Sequence, residues 1–312
     1  MGYAELGDAD VSFDMTVGFI GLGTMGAPMA RNLLDKGHRL IVADVVPAAV
    51  ASLTAAGAST ARTPKEVAAA SDFIITMLPD APDVERVALG SDGIVAGIRA
   101  GSVYIDMSTI DPDTTRKVGK AIASKGASMI DSPVGKTADH AVAGTLTLMV
   151  GGADDVVARC RRILDCMGTD FFHCGGLGAG QTMKLINNLL ATAVSEASIE
   201  ALVTGAKSGL TLDTMMSVLR TTMAWNNALA IALPKRPLAG DFGPGFMVKL
   251  AHKDCRLALE MARRLGVTTP VGRAALASLD EAMQRGLHDD DVGALLKLRE
   301  EAAGVVVRLP TA

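Results

Sequence analysis

The stretch Gly180-Gln181-Thr182-Met183-Lys184-Leu185-Ile186-Asn187-Asn188 sets one lysine and two adjoining amides into an otherwise apolar segment. On a helix, Lys184 and Asn188 stand at i and i+4, one turn apart on the same face, with Asn187 at i+3. A lysine in such surroundings is desolvated. This lowers its pKa toward the range useful for proton transfer, and amides orient it without adding charge. The chemistry predicted is general acid–base work on an alcohol or carbonyl oxygen. A solvated helix-end lysine is the competing reading, and the Asn-Asn pair tips the balance toward function.

A second candidate lies near the start of the chain, where Val17–Ile20 runs into Gly21-Leu22-Gly23-Thr24-Met25-Gly26. This spacing lets the backbone turn tightly, approach a pyrophosphate closely and offer helix N-terminal amides to its charge. Such a glycine pattern is weak evidence alone, but here an apolar strand precedes it, the helical segment Ala27 to Lys36 follows, and Asp44 closes the next apolar strand. Asp44 can accept hydrogen bonds from an adenosine ribose and would repel a 2′-phosphate. No arginine follows it in Val45-Val46-Pro47, so NAD is favoured over NADP. The plainer alternative is that Asp44 caps the next helix. Met77-Leu78-Pro79 and Met107-Ser108-Thr109 each follow an apolar strand, where open α/β sheets present loops to ligands; Ser108 and Thr109 are candidate hydroxyls near a nicotinamide ribose. A hydride carrier beside a proton-transferring lysine is the equipment of a dehydrogenase.

The elements that must position these groups fall into two rhythms. Short β-type runs at Val17–Ile20, Leu40–Val42, Phe73–Leu78, Val103–Asp106, Ser128–Ile130 and Leu146–Val150 alternate with helical segments, predicting a mainly parallel, doubly wound sheet. After Gly175-Gly176 the strand signals stop and apolar residues recur at helical spacing. The expectation is an α/β Rossmann domain over residues 15–176 and an all-helical substrate and oligomerisation domain over 177–312. A proline-free helix from Gly180 to Lys207, about 40 Å long, would carry Lys184 into an interdomain cleft. Residues 1–14, acidic and without apolar periodicity, read as a disordered extension.

Composition narrows the partners. A net charge of −4 with no long basic run argues against nucleic acid and anionic membranes, leaving a small molecule. Cys160, Cys166, Cys174 and Cys255 lack paired metal-ligand spacing, and the acidic N-terminus is unlike a secretory signal, so a reduced cytoplasmic setting without metal is expected. The apolar stretch near 185–204 is interrupted by Asn187, Asn188, Ser195, Glu196 and Glu200 and reads as a buried helix rather than a membrane span.

The glycine turn, Asp131-Ser132-Pro133-Val134, Gly144-Thr145-Leu146, the Lys184–Asn188 motif and His252-Lys253-Asp254, taken in order, resemble the β-hydroxyacid dehydrogenase family over roughly residues 15–300. The resemblance implies NAD(P)-dependent interconversion of a small hydroxy-acid anion and its semialdehyde, in a protein that pairs as a homodimer or homotetramer. It implies that Lys184 is the catalytic lysine, Asn188 its amide partner, Lys253 a lysine reaching toward the cofactor, and Thr109 the hydroxyl near the nicotinamide ribose. Ser132, Gly135, Lys136, Thr137 and Asn187 join Asn188 as substrate-binding candidates.

Where most of that family continues with Ser-Gly-Gly, this chain has Gly135-Lys136-Thr137, which is similar to the Gly-Arg-Thr of members that reduce sulfolactaldehyde. A cation at the acid end of the substrate favours a strongly anionic or longer substrate. Sulfolactaldehyde or succinic semialdehyde reduction therefore ranks first, with 3-hydroxyisobutyrate oxidation or tartronate semialdehyde reduction second. Imine reduction and a non-catalytic cofactor-binding module, the other classes on this plan, generally lack the lysine. His140 reads as a surface residue and Trp225 as core or interface.

Overall fold

The computed structural model describes residues 15–309, so the expectation for residues 1–14 lies outside the described residues. Residues 15–108 with 113–178 form one compact unit, and residues 109–112 with 179–309 form another.

The first unit is, among the described residues, a nine-stranded sheet covered by helices. Its strands are β1 (Thr16–Ile20), β2 (Arg39–Ala43), β3 (Ser59–Thr60), β4 (Phe73–Thr76), β5 (Val103–Asp106), β6 (Ser128–Asp131), β7 (Val134–Gly135), β8 (Leu146–Gly151) and β9 (Gly168–Gly175). Strands β3-β2-β1-β4-β5-β6 are mutually parallel. β8 runs antiparallel to β6 and β7, with Asp131 opposite Gly151 and Gly135 opposite Thr147. β6 and β7 therefore run in line along one edge of β8, and β9 joins its other edge in parallel. β1 lies between β2 and β4, so the chain reverses its direction of winding there. The loops after β1 and β4 meet at the carboxyl edge, the usual ligand crevice of such sheets.

The doubly wound expectation is correct, with three strands added. The two-residue β3 and β7 are too short to leave a periodic signal. β9, Gly-Thr-Asp-Phe-Phe-His-Cys-Gly, is an edge strand that is largely exposed, so it lacks the apolar run that marks the buried strands. The run expected to reach Leu78 stops at Thr76, because the amide of Leu78 bonds to the Ser108 hydroxyl instead of a strand neighbour. Val17, Phe19, Val42, Ile75, Ile105 and Ile130 fill the core between the sheet and the helices Gly26–Asp35 and Asp154–Leu164.

The second unit is helical and built around Ala179–Lys207. This helix is long and apolar enough to cross a membrane by length and composition. It instead packs against the helices Val248–Arg264, Pro270–Gln284 and Leu295–Ala303. Its inner face includes the buried polar residues Asn188, Thr192, Glu196 and Ser198, and Glu196 is held by Arg299 at 2.7 Å. Leu202, Leu229, Leu238, Val248, Leu279 and Leu296 make the core. Trp225 packs against this core under the Arg220 guanidinium at 5.4 Å.

Candidate active site

The glycine turn owes its shape to contacts that tolerate no side chain at two of its three glycines. Gly21 has φ +94°, and a Cβ there would collide with the Met77 carbonyl; a Cβ on Gly26 would collide with the Gly21 carbonyl. Gly23 differs, since a Cβ there would meet nothing within 4 Å and would project into open space. That space, beside the opening turn of the helix Gly26–Asp35, is what a dinucleotide's phosphates require, so the residues fit the cofactor. Leu22 and Thr24 complete the turn, and Met25 occupies the cap position of the helix.

Asp44 follows β2 and turns both carboxylate oxygens inward. Oδ2 accepts from the Leu22 amide at 2.6 Å and Oδ1 from the Val46 amide at 2.7 Å. Asp44 does not cap the next helix, Pro47–Ala55, whose cap residue is Val46; its carboxylate ties the glycine turn to the loop after β2 and keeps lone pairs for hydroxyl donors. Across β1, Met77 donates its amide to the Ile20 carbonyl at 3.0 Å, which seats Met77-Leu78-Pro79 against the glycine turn.

Ser132, Gly135, Lys136 and Thr137 follow β6 along the β6–β7 line. Ser132 is fully buried, and its hydroxyl has no hydrogen-bond partner among the described residues. Lys136 has φ +76°, alone among the described non-glycine residues in the left-handed region. This explains why glycine suits the position and marks the loop as strained. Its ammonium is engaged, donating to the Thr145 carbonyl at 2.7 Å and to Asp170 Oδ2 at 2.6 Å. Lys136, in turn, holds the Asp170 carboxyl below its usual range. The Thr137 hydroxyl lies 3.0 Å from His140 Nδ1.

In the helical unit, the candidates converge on a buried acid to which the sequence pattern alone assigns no role. Asp254, 3% exposed, accepts from Asn188 Nδ2 at 2.6 Å through Oδ2, and its Oδ1 lies 3.3 Å from the Lys253 ammonium. Asn187 donates to Asn188 Oδ1 at 2.9 Å, and Lys253 also donates to the Thr109 carbonyl at 2.6 Å. The result is a chain running Asn187, Asn188, Asp254, Lys253, Thr109. Burial pushes the Lys184 ammonium below the ordinary lysine value; the Asp254 carboxylate opposes that shift and the Lys253 charge adds to it. An amine so placed can take or give a proton nearer neutrality than an exposed lysine. A signal for Asp254 is present in His252-Lys253-Asp254, since an acid on the apolar helix Val248–Arg264 must be partnered if buried. Its partner, 66 residues earlier, leaves no mark in the sequence. The Ser108 hydroxyl, expected as a ribose contact, is fully buried and accepts from Leu78 instead. Among the described residues, no group of three metal-ligating side chains comes together.

Comparison with known proteins agrees with this geometry. Residues 16–176 match the family model for the NAD binding domain of 6-phosphogluconate dehydrogenase, and residues 178–299 match that for the NAD-binding region of NADP-dependent 3-hydroxyisobutyrate dehydrogenase. The chain is 40% identical to 3-sulfolactaldehyde reductase of Escherichia coli over 94% of its length and 98% of the relative's. It is 39% identical to 2-(hydroxymethyl)glutarate dehydrogenase of Eubacterium barkeri, covering 93% and 97%. The 3-hydroxyisobutyrate dehydrogenase of Mycobacterium tuberculosis, solved with L-serine, superposes with a TM-score of 0.85 at 33% identity, covering 91% of this chain and 98% of that one. This chain belongs to the β-hydroxyacid dehydrogenase family and is an NAD-dependent oxidoreductase acting on CH–OH donors.

Proposed function

We propose that the enzyme interconverts a small hydroxy-acid anion and its semialdehyde through Lys184, with 3-sulfolactaldehyde or succinic semialdehyde as the first-ranked substrates for reduction. The observation that carries this reading is the half-buried Lys184, its pKa depressed, beside the Asn188–Asp254 pair. NAD, when bound, supplies the hydride for reduction or accepts it in oxidation. Gly21–Gly26 holds the pyrophosphate, Asp44 the adenosine ribose, and Met77-Leu78-Pro79, Thr109 and Lys253 border the rest of the cofactor. In reduction, the Lys184 ammonium donates a proton to the carbonyl oxygen as it becomes an alcohol; in oxidation, the neutral amine takes it back. Asn188 orients the reacting oxygen and is itself fixed by Asp254.

Ser132, Gly135, Lys136, Thr137 and Asn187 form the rest of the substrate set, and Lys136 supplies a point charge for the acid end of the substrate. Support comes from two relatives: the substrate in one name, 3-sulfolactaldehyde, ends in a sulfonate, and that in the other, 2-(hydroxymethyl)glutarate, carries two carboxylates. One observation favours the second reading, a shorter acid such as 3-hydroxyisobutyrate that does not engage Lys136: Asp170 already pairs with that ammonium. Comparing kcat/KM over 3-sulfolactaldehyde, succinic semialdehyde, tartronate semialdehyde and 3-hydroxyisobutyrate, with Lys136→Ala alongside, separates the two. The first reading expects 3-sulfolactaldehyde and succinic semialdehyde to lead and to lose about tenfold in the variant, one such contact being worth roughly 1.4 kcal/mol. An unchanged ranking led by 3-hydroxyisobutyrate selects the second.

The helical unit pairs with a second copy in this proposal. Met183, Ile186 and Leu190, at i, i+3 and i+7 on Ala179–Lys207, are exposed and make an apolar stripe. Leu190→Glu should lower the mass seen by light scattering; an unchanged mass refutes this interface.

A further inference from the structure

Beneath the loops that leave β4 and β5 lies a buried polar chain that the proposed chemistry does not use. β4 and β5 end side by side, with Thr76 in register with Asp106. Thr76, Tyr104, Asp106 and Ser108 are all fully buried, so every hydrogen bond among them is made without competition from water. Thr76 Oγ1 lies 2.8 Å from Asp106 Oδ1, and the Tyr104 hydroxyl lies 2.8 Å from Thr76 Oγ1. The Thr76 hydroxyl has a single hydrogen, which goes to the carboxylate, so Tyr104 must be the donor in the other contact. Asp106 Oδ1 also accepts the Ser108 amide at 3.1 Å, the Asx-turn that bends the chain out of β5. Finally, the Ser108 hydroxyl accepts the Leu78 amide at 2.9 Å.

The direction of these bonds gives the chain its meaning. Asp106 fixes the backbone of Ser108, and Ser108 fixes the backbone of Leu78. The Leu78 side chain and the neighbouring Met77 carbonyl are what a Cβ on Gly21 would strike. A buried carboxylate is thereby connected, through two hydrogen bonds in series, to the wall of the glycine turn. Buried polar groups are costly to retain where an apolar residue would pack as well. Their placement under the carboxyl edge, where the β1 and β4 loops meet, accounts for their presence.

We infer that Asp106 and Ser108 are positioning residues for the dinucleotide: they set the loop after β4 against the glycine turn, and through it the affinity for NADH. Neither has to touch the cofactor to do so. The readout is the NADH dissociation constant, taken from nucleotide fluorescence, with the thermal midpoint of the cofactor-free protein recorded for each variant. Ser108→Ala should weaken NADH binding about five- to tenfold, because the half-buried Leu78 amide loses the acceptor that holds it in place. Ser108→Thr, which keeps the hydroxyl, should bind within about twofold of the parent. Asp106→Asn retains an acceptor but not a charge-assisted one and should weaken binding about threefold. The double variant should be no weaker than Ser108→Ala alone, since the two bonds act in series. Should Ser108→Ala not fold, the Asp106→Asn and Ser108→Thr pair carries the same test. Parent-like NADH affinity in Ser108→Ala or Asp106→Asn, with only the thermal midpoint lowered, would assign the chain to fold stability and overturn the inference. Equal losses in Ser108→Ala and Ser108→Thr would overturn it too.

Discussion

Replacing Asp254 with asparagine keeps the shape of the side chain and an acceptor for Asn188 Nδ2, which lies 2.6 Å from the carboxylate oxygen. It removes the negative charge that opposes the lowering of the Lys184 pKa. A unit charge acting at close range across an effective dielectric of about 20 is worth a few kcal/mol, on the order of two pH units. Residual solvent and relaxation reduce this to about one to two units. The Lys253 ammonium, 3.3 Å from the same carboxylate, loses its counter-charge in the variant and pushes Lys184 in the same downward direction. Reduction uses the protonated lysine, so activity falls as pH rises through the Lys184 pKa, and a lower pKa brings that fall to lower pH. The assay is kcat for semialdehyde reduction at saturating NADH from about pH 5 to 10. Asp254→Asn should displace the alkaline limb downward by about one to two units. Lys253→Met, which removes a neighbouring positive charge, should displace it upward. An alkaline limb that stays in place in Asp254→Asn, or moves up, would refute the electrostatic reasoning and leave Asp254 a structural acceptor only.

Two further outcomes follow from the cofactor side. Gly23→Val should leave the thermal midpoint of the cofactor-free protein unchanged, since nothing lies within 4 Å of that Cβ position. It should nevertheless weaken NADH binding at least about tenfold by filling the phosphate space, which titration by nucleotide fluorescence checks. Asp44→Ala should raise the ratio of kcat/KM for NADPH to that for NADH by about tenfold or more, because the carboxylate that repels a 2′-phosphate is gone. An unchanged ratio would place cofactor choice elsewhere.

The parts of this protein legible in its sequence are those whose physics is local. A strand, the glycines Gly21, Gly23 and Gly26 and the acid Asp44 at the end of the next strand follow one another in a single short segment. They constrain one another through one turn, so the glycine turn and Asp44 can be read together. Lys184 and Asn188 are legible because helical spacing alone puts them on one face. What escapes is set by pairing across the fold. Asp254 meets Asn188 66 residues away, and Asp170 meets Lys136 34 residues away; neither encounter has a sequence period. The neutralised Lys136 shows the consequence, since an unpaired cation and a paired one read identically in sequence. Ser108 shows it again: a hydroxyl after a strand suggests a ligand contact, and the register of β4 with β5 gives it to Leu78 instead. β9 escapes because its faces are mostly wet, leaving no alternation to read.

The most direct test of the account is Lys184→Ala, measured two ways on the same preparation. If Lys184 is the proton donor, semialdehyde turnover should fall by about two to four orders of magnitude across the substrate panel, while NADH binding stays within about twofold of the parent. Turnover within about tenfold of the parent with NADH still bound would contradict it, and the proton would then have to come from another group.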